Sequence, residues 1–590
     1  MKKKKVWLPV IGILGFTLLF YACSKSFLDK PALGSVDENT LANKVGVEGL
    51  LIGAYSMLDG IGGAANNFDG AATNWIFGDI ASDDSYKGTQ PGDGSEVNEI
   101  ETYRTTTGNS AVIARWGGIY DGIQRSNDVL RVMAKATDID VADQLRIKAE
   151  ALFLRGFYHF EAKKLWDMIP YIDETISYAN GNTDVPNDVD TWPKIEADMQ
   201  FAKDNLPDDW SSTGEKGKAN KWAAMTVLAK IYMFEHKYTE AKQLLDDVIA
   251  NGVTATGEHY ALLPHYSDNF NAETKNNAEA VFQIQQSVND GSGGYNATWG
   301  EALTYPNGAG VPGGCCGFNQ PSQNLVNTFR TDPVTGLPYL DTFNDIDVKN
   351  DQGVESGASF TPETGTLDPR LDWTVGRRGL PYLDWGIHPG KVWIRDQDNG
   401  GPYLAKKRFY WKYQTGTLEE TSWPNGNANN YSFIRFADIL LWAAECEIEV
   451  GSLEQARVYV NQVRDRIAAN PDGWVHTYVD DADPSKGFTS TPAANYKIGL
   501  YTTVWTDQAF ARKAVQFERR LELGMEGHRF FDLVRYGTAD VVLNAYVAKE
   551  KSVRTYLNGV VFTKNKNEYF PLPQSEMDKS HGALKDPRYP

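Results

Sequence analysis

The sequence predicts a mainly α-helical fold in which helical hairpins scaffold an irregular, loop-rich lobe. Three observations predict it. Apolar residues recur at helical spacing over 39–58, 111–134, 140–166, 192–205, 219–250, 431–450, 452–469 and 507–536. Between the helical blocks, residues 252–431 turn to Gly, Pro, Asn and aromatic residues with few periodic runs, the texture of loops, short strands and short helices. No low-complexity linker separates lobe from helices, so residues 23–590 are expected to form one domain. With 42% hydrophobic and 23% charged residues, the 590-residue chain has the material for a large core.

Taken in order, Leu41, Val45, Leu50, Leu51, Tyr55 and Leu58 give the first helix an apolar face at helical spacing. Residues 60–109 then read as a loop of Gly, Asn, Asp and Thr that carries Trp75, Tyr86 and Tyr103. Loops of that length inside compact folds are usually functional or disordered, and the aromatics favour function. Pro170 stops the helix over 140–166. Within 219–250, Met225, Leu228, Ala229 and Tyr232, then Ala241 and Leu245, follow tetratricopeptide spacing, with small residues where paired helices cross. A looser copy occupies Ala444, Ile448, Ala456 and Val460. Two distant partial copies are not a solenoid; they indicate hairpins within a globular fold. The segment from Tyr569 to Pro573 is an extended closing stretch.

The N-terminus reads as an export signal. Lys2 to Lys5 form a positive region, Val6 to Tyr21 an apolar one, and Ala22 precedes Cys23. The apolar stretch is shorter than the ~20 residues of a spanning helix. Cys23 is therefore expected to be a lipid-anchor site, although Phe20 and Tyr21 are bulkier than residues usual there. Buried acyl chains at ~0.8 kcal/mol per CH₂ would hold such an anchor firmly. Removing residues 1–22 takes the formal net charge from −19 to −23. That charge repels phosphate backbones and argues against nucleic-acid partners. The 12% aromatic content is more than a core needs and suggests a binding surface.

Cys23 followed by Phe27-Leu28-Asp29 and Pro31 resembles the mature start of the SusD/RagB family, surface lipoproteins that pass nutrients to TonB-dependent transporters. Trp116, Tyr120 and Asn127, then Leu154-Arg155 through Tyr158, Phe160, Trp166 and Pro170, are similar to that family. So are Arg435 through Asp438-Ile439-Leu440-Leu441 to Ala444-Glu445, and Glu518-Arg519-Arg520 through Glu526-Gly527 to Phe531-Asp532-Leu533-Val534-Arg535-Tyr536-Gly537. Pro571-Leu572-Pro573 with Glu576 resembles its closing motif. The resemblance spans Cys23 to Pro590 in the family's order. It implies a ligand site on the irregular lobe, an oligosaccharide ligand, a SusC-like TonB-dependent transporter as partner, and an outer-membrane, lipid-anchored chain facing the cell exterior. Ser24-Lys25-Ser26 lacks the acidic signal that would support surface export. The glycan's identity does not carry over; an uncharged β-linked glycan such as a chitin fragment is the expectation. A peptide or other nutrient in the same transport role, a surface glycoside hydrolase, and a purely structural helical scaffold are the alternatives.

Asp438, Glu445, Glu518, Glu522 and Asp532 lie in apolar helical contexts and could supply a catalytic carboxylate pair. Their alternation with Arg435, Arg519, Arg520 and Arg529 points instead to structural ion pairs, so no enzymatic activity is expected. Gly308-x-Gly310-x2-Gly313 mimics a dinucleotide fingerprint but is flanked by Pro306 and Pro312, with neither strand before it nor helix after. No cofactor is expected. Asp396, Asp398, Asn399 and Gly400, or Asp83-Asp84, could contribute to a calcium site, but neither completes a binding loop. A basic cluster from Arg377 to Arg408 reads as a solvated face.

Sugars offer C–H faces that stack on flat rings and hydroxyls that seek amides or carboxylates. Trp75, Asn74, Asp83 and Tyr86 on one loop, and Tyr295, Trp299, Tyr305 and Phe318 in the lobe, are therefore the candidate glycan-binding residues. Cys315-Cys316, between Gly314 and Gly317, leaves two readings open. An oxidising exterior favours a vicinal disulfide, whereas adjacent Cα atoms ~3.8 Å apart across a trans peptide oppose one and favour free thiols. A ring there would offer a sugar an apolar floor beside Tyr305 and Phe318.

Overall fold

The computed structural model describes residues 38–61, 68–176, 183–421 and 425–589; Cys23 and the export segment lie outside them. Six helices fill the N-terminal part: α1 (Lys44–Ser56), α2 (Ser110–Met133), α3 (Val141–Trp166), α4 (Trp192–Asn205), α5 (Lys221–Phe234) and α6 (Tyr238–Asn251). Beyond the lobe come α7 (Phe436–Val450), α8 (Leu453–Ala468), α9 (Gln508–Leu523) and α10 (Ala539–Glu550). Their starts are written in side-chain chemistry. Asn43, Asn109, Asp140, Asn220, Ser452 and Asp507 each accept backbone N–H groups of the first turn, which stabilises a helix by about 1 kcal/mol per cap.

Each of α1 to α6 packs on the next, α6 packs on α7, and α7 packs on both α8 and α9. The two partial tetratricopeptide copies, α5/α6 and α7/α8, are therefore spatial neighbours. The lobe is inserted between them. Strand β2 (Ala280–Ile284) pairs antiparallel with β4 (Tyr431–Arg435), Ala280 opposite Arg435 and Ile284 opposite Tyr431, and so fastens the neck of the insertion. The main core, which includes Phe153, Trp166, Leu228 and Trp442, runs between the helices. A second core, built on Tyr305, Leu325, Phe329, Leu371 and Tyr382, belongs to the lobe.

Three expectations are corrected. Residues 68–109 are not a loop. Trp75–Ile80 forms a π-helical turn, β1 (Ser85–Gly88) pairs antiparallel with β3 (Phe318–Pro321), and Ser95–Glu101 is helical. The helix expected over 431–450 starts at Phe436, because Tyr431–Arg435 is strand β4. The helix expected over 507–536 is broken into α9 and Arg529–Arg535. At the break Gly527 adopts a positive φ of 79° and its carbonyl lies against Gly78, where a Cβ would sit 2.1 Å from that oxygen. Only glycine fits both positions.

The buried acids are ion-paired. Glu522 is fully buried and accepts from Arg370 at 2.9 Å, from Arg435 at 2.6 Å and from Arg466. Glu518 binds Arg370 and Arg464, both at 2.7 Å; Glu279 binds Arg435 and Arg466; Glu526 binds Arg435 and Lys407. Arg519 joins Asp438 to Asp532, and Arg535 holds Glu445. The pairs of Arg370 and Glu279 tie the lobe to α9 and α8, and those of Arg519 and Arg535 tie α7 to α9 and to the helix Arg529–Arg535. Arg520 and Arg529 reach instead to Asp84 and Asp83, locking the segment before β1 against α9 and the helix Arg529–Arg535. Among the described residues no helix is long and apolar enough to cross a membrane.

Candidate functional site

Of the eight candidate glycan-binding residues, the structure encloses six. Trp75 is 1% exposed; its indole N–H donates to the Gly300 carbonyl at 2.9 Å and its ring meets Phe318 edge-on at 6.0 Å. Asn74 donates to Glu161 at 3.2 Å. Tyr86, on β1, donates its hydroxyl to Glu550 at 2.7 Å. The Tyr305 hydroxyl accepts from Asn427 at 2.8 Å, and Phe318 is buried on β3. Burial alone would raise the Asp83 carboxyl, but Arg520 and Arg529 hold it down at about 2. With Asp83 and Asp84 bound by arginines and Asp396 capping the short helix Gln397–Gly400, these carboxylates are already engaged. No cluster of three metal-ligating residues occurs among the described residues.

The structure joins Cys315 and Cys316 in a disulfide. Their loop wraps the Tyr305 ring. Cys316 and Gly317 both donate to the Tyr305 carbonyl, at 3.1 and 2.8 Å, and the Gly313 N–H donates to the Tyr410 hydroxyl at 3.0 Å. Cys316, Tyr305 and Phe318 are all buried, so the expected sugar floor is absent from this surface. The cysteine loop braces the lobe.

Tyr295 and Trp299 differ. Tyr295 is 47% exposed, and its ring stands edge-on to the half-buried Trp299 at 4.4 Å and 87°. Phe68, which the sequence did not single out, also meets Trp299 edge-on, at 6.3 Å and 83°. The three rings form one aromatic platform at the junction of lobe and helices. Its placement is built from below. Trp299 opens the 3-10 turn Trp299–Thr304, and Gly300 lies so close to Ala71 that a Cβ there would fall 2.7 Å from the alanine's. Trp75 fixes the Gly300 carbonyl from inside, and Arg115 of α2 donates to the Gly70 carbonyl at 2.7 Å. The buried tryptophan is thus a support for the half-buried one.

The loop before Trp299 is pinned by Asp290, which accepts from Ser287, from the Ser292 N–H at 2.9 Å and from the Asn296 amide at 2.8 Å. Those hydrogen bonds hold its carboxyl well below the usual range, so it is ionised at any physiological pH. Ser287 donates its backbone N–H to the Asn296 carbonyl at 2.7 Å, and Asn289 donates its own to Glu420 at 2.8 Å. Amide and carboxylate groups therefore fasten the loop that carries Tyr295 and leads into Trp299. The Trp299 indole N–H has no partner among the described residues. Such an arrangement has the make-up of a binding surface.

A helical-hairpin scaffold that carries an aromatic platform on an inserted lobe defines a ligand-binding protein. The SusD family matches residues 278–589, and a family described as starch-binding associating with the outer membrane matches residues 48–233. The chain belongs to the SusD family, whose members are carbohydrate-binding proteins and not enzymes. SusD-like proteins P25 and P2 of Formosa agariphila are each 24% identical to it, over 72% of this chain and 69% of P25, and over 82% of this chain and 82% of P2. Among solved structures, surface glycan-binding protein A from Bacteroides thetaiotaomicron in complex with laminarihexaose superposes with a TM-score of 0.65 at 20% identity, covering 93% of this chain and 100% of that one.

Proposed function

We propose that the chain captures an uncharged oligosaccharide on the Phe68–Trp299–Tyr295 platform and delivers it to a partner TonB-dependent transporter of the outer membrane. The observation that carries this reading is an exposed tyrosine held against a half-buried tryptophan on a loop otherwise fastened by carboxylate and amide groups. Flat rings stack on sugar C–H faces, and the surrounding amides take hydroxyls. The laminarihexaose carried by the Bacteroides thetaiotaomicron relative supports a neutral glycan as ligand. A formal charge of −19 disfavours polyanionic glycans. Lipid at Cys23 would tether the chain to the outer membrane, facing outward beside its transporter. The test is titration of the purified chain with hexasaccharides of laminarin, chitin, cellulose and starch, alongside affinity purification of the native membrane complex. Binding of one of these sugars without shortening it, and recovery of a β-barrel transporter, are expected. Failure to bind any of them, or steady hydrolysis, would end this reading.

A further inference from the structure

A second aromatic concavity opens where the lobe meets the segment that follows α8, in a groove of about 710 Å³ that shares no residue with the platform. One wall is Trp474, in the turn that follows α8. The floor is Trp373 and Trp411, 6.3 Å apart. The other wall is Phe488, at the start of β6 (Phe488–Pro492), which pairs antiparallel with β5 (His476–Tyr478). The Phe488 ring is 38% exposed and meets Trp411 edge-on at 6.1 Å.

Trp373 donates its indole N–H to the Gly473 carbonyl and Trp474 donates its own to the Ile467 carbonyl, both at 2.9 Å. Both polar edges are thereby engaged by backbone, the rings are fixed in orientation, and apolar face is what remains for a ligand. Asp472, with its side chain 75% exposed, pairs with His265 at 3.1 Å on the rim, and Ser490 adds an exposed hydroxyl. No lysine or arginine lines the groove. An anionic ligand would find no lysine or arginine to pair with and would face the exposed Asp472 carboxylate, so the lining disfavours it. The volume lies within the ~300–1,000 Å³ of small-molecule sites and is larger than a lone ammonium head requires. Rigid ring faces, rim hydroxyl, imidazole and carboxylate, and no lysine or arginine are the chemistry that recognises a neutral sugar chain.

We infer that this groove is a second carbohydrate site, which takes a segment of the same uncharged glycan that the platform holds. The inference rests on the glycan-binding reading for its ligand class, but not on the platform for its residues. Two sites on one rigid chain raise the effective concentration of a polymer at each, so long glycans are retained more strongly than either site alone allows.

The test titrates the four hexasaccharides, and a proline decapeptide, into the wild-type chain and its Trp299→Ala, Trp411→Ala and Phe488→Ala variants. The wild type is expected to take up two equivalents of the sugar it prefers. Trp411→Ala should take up one, Phe488→Ala should weaken one event at least about fivefold, and Trp299→Ala should keep the groove event. Phe488→Ala, at an exposed ring, decides the matter if Trp411→Ala fails to fold. A single wild-type event, lost in Trp299→Ala and untouched in Phe488→Ala, would overturn the groove and leave the platform standing. A single event lost only in the groove variants would uphold the groove and end the platform reading. Binding of no sugar, or groove-dependent binding of the peptide alone, would overturn the proposal.

Discussion

Replacing Glu522 by glutamine should cost the protein a large part of its stability without touching any ligand site. Around Glu522, five cations (Arg370, Arg435, Arg464, Arg466 and Lys407) face five carboxylates (Asp368, Glu279, Glu518, Glu522 and Glu526), all of them buried. The set is neutral as it stands. Burial opposes ionisation of Glu522, but Arg466, Arg435 and Arg370 outweigh it and hold the carboxyl well below its usual range. Glu522→Gln leaves one positive charge uncompensated in a fully enclosed site and turns an N–H donor toward guanidinium donors. Breaking a buried pair in this way destabilises by about 3–5 kcal/mol, against about 5–15 kcal/mol for a typical fold. Because m exceeds the ~3 kcal/mol per M of small proteins in a chain of 590 residues, the unfolding midpoint should fall by several tenths of a molar, up to about 1 M, with m unchanged. Asp480→Asn, which breaks an exposed pair with Lys486, should produce no resolvable shift and serves as the control. An unchanged midpoint for Glu522→Gln would refute the view that these acids register the lobe on the helices.

Glu526 gives the pH counterpart. Burial raises its carboxyl but Arg435 and Lys407 hold it at about 2, below the unfolded value near 4.3, so its contribution is present above about pH 4.3 and is lost as pH falls toward 2. Melting temperature should therefore drop over that window, and Glu526→Gln should flatten the drop; an equally steep profile in the variant would contradict it. Gly78→Ala places a Cβ 2.1 Å from the Gly527 carbonyl and should destabilise by about 1–3 kcal/mol in urea unfolding. Cys23→Ala should move the protein from the membrane fraction to the soluble one, and continued sedimentation with membranes would dismiss the lipid anchor.

Much of the scaffold was legible in the sequence because its helices are long, periodic and capped by Asn, Asp or Ser. The expected span over 192–205 coincides with α4, and the expected pair over 219–250 resolves into α5 and α6. Tyr431–Arg435 was not legible, because a short apolar run abutting a helix shows the same pattern whether it is strand or first turn; the pairing with Ala280–Ile284 decides it. The proposed site was legible in part. Tyr295 and Trp299 sit on the surface platform, while Trp75, Tyr86, Tyr305 and Phe318 do not. The polar neighbours that made the Trp75 segment look solvated are satisfied from far along the chain, Asn74 by Glu161 and Asp83 by Arg529, and no local signal announces such partners. Phe68 and the rings of Trp411 and Trp474 went unnoticed for the same reason: tertiary structure alone assembles their clusters.

The central claim is that Trp299 and its neighbours hold the glycan, and one titration tests it most directly. Stacking on an aromatic ring contributes ~1–3 kcal/mol by truncation, roughly 5- to 150-fold in affinity. Isothermal titration of Trp299→Ala with the sugar bound by the wild type should show the platform event weakened within that range, with the melting temperature nearly unchanged because the ring is only half-buried. Wild-type affinity at every event in a folded Trp299→Ala protein would contradict the account.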